Sequence, residues 1–393
     1  MLMNQNVRGT KGQGLICPFL KIKSPFSGCL ACWLLLGHTM LLSKGIFLRF
    51  IKYAPLATFV CYKPTLPPPT LLPKNQTLIF SAHTQHTKMV TTAPQEKEVT
   101  HEFPFFRVFK DGTVEVLRPP PKFLPPSDDP ATGLRIKDTV ISSDPPVSAR
   151  LFLPKITNNN KLPVYLFFHG SGFCARSAFS PEYSNHVAAV ANEAKVLAVS
   201  VEYGKFPARP LPACYEDAWR SFQWVTSHAD GTGTEPWLND HGDFQRLFVA
   251  GSSAGGNITH TLISQIGKTG SPPGVRVEGA IMVHPFFGGL GDDAQWLFMC
   301  KDNKGPEDPR LKPAEEDLRR LGCERVLVCV AEKDSLMVAG KNYVEALKKS
   351  GWGGSIELVI HWGMTHSQHV HFPDQGNSRE VLRKFASFIH QQP

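Results

Sequence analysis

From about residue 103 onward the chain alternates between two kinds of hydrophobic pattern. Residues 113–117 (Thr-Val-Glu-Val-Leu) and 147–153 alternate apolar with polar positions, the period-two signature of a half-buried strand. Short, predominantly apolar runs then recur at 162–168, 196–201, 247–250, 275–283, 326–330 and 356–360. Runs of this length fit strands buried on both faces. Between them, residues 181–194, 213–228, 254–266, 338–349 and 378–390 carry apolar side chains at helical spacing. Strands alternating with helices predict an α/β fold with a mostly parallel central sheet and helices on both faces. No repeat of 20–50 residues interrupts the pattern. In such a sheet the chemistry gathers on loops beyond the carboxyl ends of the strands, so those loops are where functional residues are sought.

The first 88 residues do not share this pattern. They hold ten Lys/Arg and no Asp or Glu, an apolar stretch at 28–43, and a proline-rich run at 64–73. The apolar stretch is short for a membrane span, which takes roughly 20 residues. Three readings compete: a signal anchor, a basic organelle transit segment, or a segment absent from the mature protein, whose translation then starts at Met89. The last is adopted, giving an extension at 1–88 and one domain at 89–393. The remaining 305 residues hold 32 Lys/Arg against 34 Asp/Glu, so the chain's net charge of +8 belongs to the extension. A near-neutral body without a basic stripe argues against nucleic-acid binding. Cys174, Cys214, Cys300, Cys323 and Cys329 are odd in number and irregular in spacing. They read as buried thiols of a reducing compartment, here taken as the cytoplasm. Cys29 and Cys32 form a C-x-x-C with no second pair, and Asn75 and Asn257 begin glycosylation sequons, the second inside a helical segment.

Chemistry first shows itself at Gly251-Ser252-Ser253-Ala254-Gly255. The apolar run 247–250 precedes it and a helical segment follows, which is the strand, turn, helix context of a nucleophile elbow. Small residues around Ser253 let strand and helix approach, and the helix aims its first N–H groups at the reacting centre. Upstream, His169-Gly170-Ser171-Gly172-Phe173 follows directly on the run 162–168. Glycines there can turn backbone N–H groups toward the elbow, where with the amide of Ala254 they make an oxyanion hole. In such folds an acid and a histidine follow the serine in chain order. Asp334 lies just past the run 326–330, with Glu332 as its rival. His361, His366, His369 and His371 follow the run 356–360, and periodicity does not choose among the four.

Several phrases carry a resemblance: Phe106-Arg107-Val108-Phe109-Lys110-Asp111-Gly112, Leu211-Pro212-Ala213-Cys214-Tyr215-Glu216-Asp217-Ala218-Trp219, and His284-Pro285-Phe286-Phe287-Gly288-Gly289. With these, the chain from about Phe103 onward resembles a plant carboxylesterase of the hormone-sensitive-lipase-like branch, a group that includes 2-hydroxyisoflavanone dehydratases. The resemblance implies an α/β-hydrolase fold with a small cap region, and Ser253 as nucleophile, Asp334 as acid and His366 as base, the last from Gly363-Met364-Thr365-His366. It implies oxyanion donors in Gly170, Ser171 and Gly172 and at Ala254. Phe173, Phe286, Phe287 and Trp296 are candidates for an apolar substrate pocket.

The expected reaction is hydrolysis of a small or medium ester, aromatic or from specialised metabolism, with no metal and no cofactor. Two other readings use the same site. A dehydratase would remove a proton beside a carbonyl; such members tend to carry threonine at the nucleophile, so Ser253 favours hydrolysis. A gibberellin-receptor-like binding protein would have lost its histidine, which His366 argues against. This chain departs from the family's pattern at Ser171 (usually Gly), at Ser252 (usually Asp), at Gln368 (usually aromatic) and in Tyr203-Gly204-Lys205-Phe206-Pro207-Ala208-Arg209, where an Arg and a Glu are replaced and a structural ion pair is expected to be lost.

Overall fold

A computed structural model describes residues 97–393, except Leu290, Asp292, Asp374, Gly376, Gln392 and Pro393, together with two short strands farther upstream. The chain divides into two units, Met1–Val90 and Thr91–Pro393. In the first, β1 (Leu41–Leu42) pairs antiparallel with β2 (Ile46–Phe47). The C-x-x-C, the proline-rich run and the Asn75 sequon lie outside the described residues, as does the proposed start at Met89. Among the described residues no helix is long and apolar enough to cross a membrane.

The second unit opens with a three-stranded antiparallel sheet of β3 (Val99–Glu102), β4 (Phe106–Phe109) and β5 (Val114–Val116). The main sheet comprises β6 (Arg135–Ser143), β7 (Pro146–Leu153), β8 (Leu162–Phe168), β9 (Leu197–Glu202), β10 (Gly242–Ser252), β11 (Val277–Val283), β12 (Arg325–Ala331) and β13 (Ser355–His361). Its order is β13-β12-β11-β10-β8-β9-β7-β6. All neighbours from β9 to β13 are parallel, while β7 runs antiparallel to both β6 and β9. The helices are α1 (Pro181–Ala194), α2 (Ala213–Thr226), α3 (Pro236–His241), α4 (Ala254–Thr269), α5 (Asp293–Met299), α6 (Glu315–Arg319), α7 (Met337–Lys349), α8 (Gln368–His371) and α9 (Ser378–His390).

The apolar runs are long because both faces of the sheet are covered. Along β8, Val164, Leu166 and Phe168 enter one core with Phe222 of α2, Ile258 and Leu262 of α4 and Val344 of α7. Tyr165 and Phe167 point the other way, into a second core with Val187 and Val190 of α1 and Phe385 and Phe388 of α9. β10 divides likewise, Leu247 and Val249 against Phe248 and Ala250. The mostly parallel, doubly covered sheet therefore agrees with the pattern. β6 escaped it because this edge strand is half-exposed along its whole length and never alternates cleanly.

Candidate active site

Ser253 stands where β10 stops and α4 begins, with a left-handed backbone (φ 56°, ψ −117°). The turn depends on Gly251 and Gly255. A Cβ on Gly251 would sit 2.1 Å from the Gly255 carbonyl oxygen, and one on Gly255 would sit 2.0 Å from that of Phe168. The Ser253 N–H donates to Val283 O (2.9 Å), and its carbonyl accepts from the N–H groups of Gly256 (2.9 Å) and Phe286 (3.0 Å). The serine is thus held by its own helix and by the neighbouring strand end.

Two loops beyond β12 and β13 are stitched together beside it. Glu332 N–H donates to His361 O (3.1 Å) and Lys333 N–H to Met364 O (2.9 Å). The Glu332 carboxylate accepts from Gly363 N–H (2.7 Å), so the rival acid fastens the histidine loop rather than the histidine. Asp334 Oδ2 lies 2.6 Å from His366 Nδ1, and His366 Nε2 lies 2.9 Å from Ser253 Oγ. An ionised carboxylate only accepts, so Nδ1 carries the proton and the Nε2 lone pair faces the serine hydroxyl. The Asp334 side chain is 2% exposed and also accepts from Leu336 N–H (3.0 Å). Burial works to raise its pKa, but the hydrogen bond and charge of His366 and the Leu336 amide outweigh this and hold it below the usual carboxylate value. None of the other three histidines meets Ser253. His361 and His369 are buried beneath the loop and His371 is exposed on α8.

Across from His366, β8 runs into His169 and the glycine loop. Ser171 (φ 91°), Gly172 (φ 63°) and Phe173 (φ 62°) are all left-handed, a winding that turns amides into a concave surface. Gly172 and Ala254 line a cavity with Ser253. Ala254 opens α4, so its N–H has no carbonyl of a preceding turn to bond. Gly170 is packed behind the serine instead. A Cβ there would meet Ser252 O and Tyr183 Oη at 2.7 Å and Ser253 Cβ at 3.0 Å. The buried Tyr183 phenol, pushed up to about 12 by desolvation against the opposing pull of the Gly170 amide and the Ser171 hydroxyl, fills the space behind the loop. Gly170 and Ser171 are therefore outside the cavity wall, unlike Gly172.

The cavity encloses about 540 Å³, and its walls include Phe103, Phe105, Phe173, Phe286, Trp296 and Met299. Trp296 is rigidly placed: its indole N–H donates to Tyr215 Oη (2.9 Å), whose hydroxyl donates to Asn257 Oδ1 (2.8 Å). Asn257 Nδ2 in turn donates to Arg310 O (2.6 Å), so the second sequon is a buried structural asparagine. Phe287 corrects the sequence reading. It points away from the cavity and stacks on Tyr343 (centroids 4.6 Å apart), because adjacent residues after β11 face opposite sides. Phe103 and Phe105 were missed. They come from the loop between β3 and β4, and only their place in an aromatic run hinted at them. Phe105 lies directly over Gly172, whose imagined Cβ would be 2.7 Å from that ring.

The altered Tyr203 loop also differs from expectation. Arg209 grips the buried Asp217 with both terminal guanidinium nitrogens (2.5 and 3.0 Å), Arg220 adds a third contact (3.0 Å), and Lys205 pairs with Glu202. The loop has ion pairs of its own. Ligating atoms of His284, Asp334 and His366 fall within 4.8 Å of one another, but hydrogen bonds within the loops already occupy them.

An elbow serine at the carboxyl edge of a doubly covered parallel sheet, facing a histidine and an acid from later strands, defines a hydrolase-type architecture. Comparison with known proteins agrees. A family model described as the α/β-hydrolase fold matches residues 165–297 and 291–370. A 2-hydroxyisoflavanone dehydratase of Glycyrrhiza echinata is 40% identical over 76% of this chain and 98% of its own. Probable carboxylesterase 1 of Arabidopsis thaliana is 38% identical over 76% of this chain and 99% of its own. Among solved structures, an esterase of Pyrobaculum calidifontis superposes with a TM-score of 0.55 at 25% identity, covering 65% of this chain and 84% of that one. The chain belongs to the α/β-hydrolase family, as an enzyme of the carboxylesterase class.

Proposed function

We propose that this enzyme hydrolyses small to medium carboxylic esters with an aromatic or flat apolar group, using Ser253, His366 and Asp334. The observation that carries the reading is the unbroken chain from Ser253 Oγ through His366 to Asp334 at the floor of an aromatic cavity. His366 Nε2 takes the hydroxyl proton as Oγ attacks the ester carbonyl. Asp334 keeps the imidazole in the required tautomer and stabilises its cation. The amides of Gly172 and Ala254 receive the oxyanion, while Gly170 and Ser171, set back from the cavity, supply the packing that shapes the loop. His366 then protonates the leaving alcohol, and water, deprotonated by the same nitrogen, frees the acid and regenerates the serine. The aromatic walls suit a planar group, and Phe105 over Gly172 shields the oxyanion loop from water. Ser253→Ala is expected to abolish turnover of an aryl acetate in protein of unchanged stability; retained turnover would refute the assignment.

A second reading is favoured by one observation, the 40% identity to a chain named as a 2-hydroxyisoflavanone dehydratase. Here His366 would remove the proton beside a carbonyl, the amides would hold the enolate, and the β-hydroxyl would leave. Incubation with a 2-hydroxyisoflavanone separates the two: dehydration without cleavage of simple esters would replace the first reading with the second. We place the reaction in a reducing compartment, supported by five free, buried thiols among the described residues.

A further inference from the structure

The loop carrying His366 rests on a buried imidazole that takes no part in the chemistry just described. His284 follows β11, is 1% exposed, and has a left-handed backbone (φ 48°). Its Nδ1 lies 2.9 Å from the N–H of Ser367, the residue directly after His366, and Ser367 is left-handed too (φ 52°). Its Nε2 lies 3.2 Å from His361 Nδ1, and its ring centroid is 5.9 Å from that of His366.

These contacts fix the tautomer without further assumption. A backbone N–H only donates, so His284 Nδ1 accepts and, in a neutral ring, Nε2 carries the hydrogen. That hydrogen points at His361 Nδ1, which must accept. The ring is therefore a rigid strut with an acceptor aimed at one end of the histidine loop and a donor aimed at the end of β13. Ser252 adds a weaker tie, its Oγ lying 3.4 Å from Ser367 Oγ.

We infer that His284 is a positioning residue, whose Nδ1 lone pair holds the Ser367 amide and thereby sets the distance of His366 from Ser253. The inference rests on His366 being the base. Without the acceptor, a buried N–H is left unpaired and the left-handed turn at Ser367 loses its support. The loop then relaxes, and displacement of a catalytic group by about 1 Å can cost on the order of 100-fold in rate. Substrate binding in the aromatic cavity is untouched, because none of its walls is formed by His284.

The test uses three variants of the whole protein and one aryl ester, with thermal unfolding measured alongside. His284→Asn keeps an acceptor near the Nδ1 position and tolerates a left-handed backbone; its kcat is expected within about threefold of the parent. His284→Gln keeps a polar group near Nε2 but loses the Nδ1 acceptor, and His284→Leu loses both. Each is expected to lower kcat about 10- to 100-fold with KM within about twofold. If the Leu variant does not fold, the comparison of Asn with Gln decides. Equal kcat in the Asn and Gln variants, or a Leu variant with parental kcat, would overturn the inference. Parental turnover in Ser253→Ala would instead overturn the reading on which it rests.

Discussion

Ser171, Phe173, Ser253, His284 and Ser367 are five of the seven non-glycine residues with positive φ among the described residues, and all five sit on loops around one point. Such backbones cost about 1–3 kcal/mol each and persist only where their surroundings enforce them. At Ser253 the strain presents the hydroxyl. At Ser171 (φ 91°) the family's usual glycine would adopt the same backbone without cost. Ser171→Gly is therefore expected to raise stability by about 1 kcal/mol with kcat/KM no lower than the parent's, measured by chemical unfolding and initial rates. The two acids near the histidine divide their work at the same level of detail. Asp334→Asn, which leaves the geometry but permits the wrong tautomer, is expected to lower kcat about 10³- to 10⁴-fold. Glu332→Gln retains an acceptor for the Gly363 amide, and its kcat should stay within about tenfold. A reversal of that ranking would exchange their roles.

The elements explain how these residues meet and which of them the sequence could reveal. β10 and α4 were legible because Gly251 and Gly255 mark a turn that no larger residue permits. The strands β8, β11 and β12 were legible as apolar runs because helices cover both their faces, while β13, half-buried at the sheet edge, was legible from Ile356, Leu358, Val359 and Ile360. Chain order then led to Asp334. The choice of His366 over His361, His369 and His371 came from resemblance, since a three-dimensional loop register has no periodicity. The difference between Phe286, in the cavity, and Phe287, stacked on Tyr343, depends on which way one turn faces. The contribution of Phe103 and Phe105 was invisible for a further reason: the β3–β4 loop reaches glycine loop residues about 70 positions away in the chain, and no local pattern reports such contacts. On the proposed function, this loop would give the enzyme part of its selectivity. Removing the ring in Phe105→Ala takes away apolar wall that a bound aryl group would cover. KM for an aryl ester is expected to rise roughly 10-fold, with a smaller change for a short alkyl ester. Equal changes for both would remove Phe105 from the substrate site.

Taken as a whole, the described body buries six imidazoles whose neutral form burial favours. Burial pushes His169, His186, His260 and His361 down to about 4, His284 to about 3 and His369 well below the ordinary value of 6.5. The unfolded chain takes up these protons near pH 6.5, whereas the native protein takes them up only near pH 4 and below. Between those limits the unfolded state binds more protons, so stability is complete above about pH 6.5 and falls as the pH drops. All six shifts have the same sign, so each moves stability in the same direction. Urea unfolding at pH 7.5, 6 and 5 should give steeply falling stability; a flat profile would mean that these rings are charged or solvated in the native state. Within this body the chain runs from Ser253 through His366 to Asp334. Its test is a fluorophosphonate reaction on the intact protein, followed by peptide mapping and residual aryl-ester turnover. One adduct on Ser253, formed in proportion to lost activity and absent from Ser253→Ala, is the predicted result. Full turnover in protein whose Ser253 is quantitatively modified would contradict it.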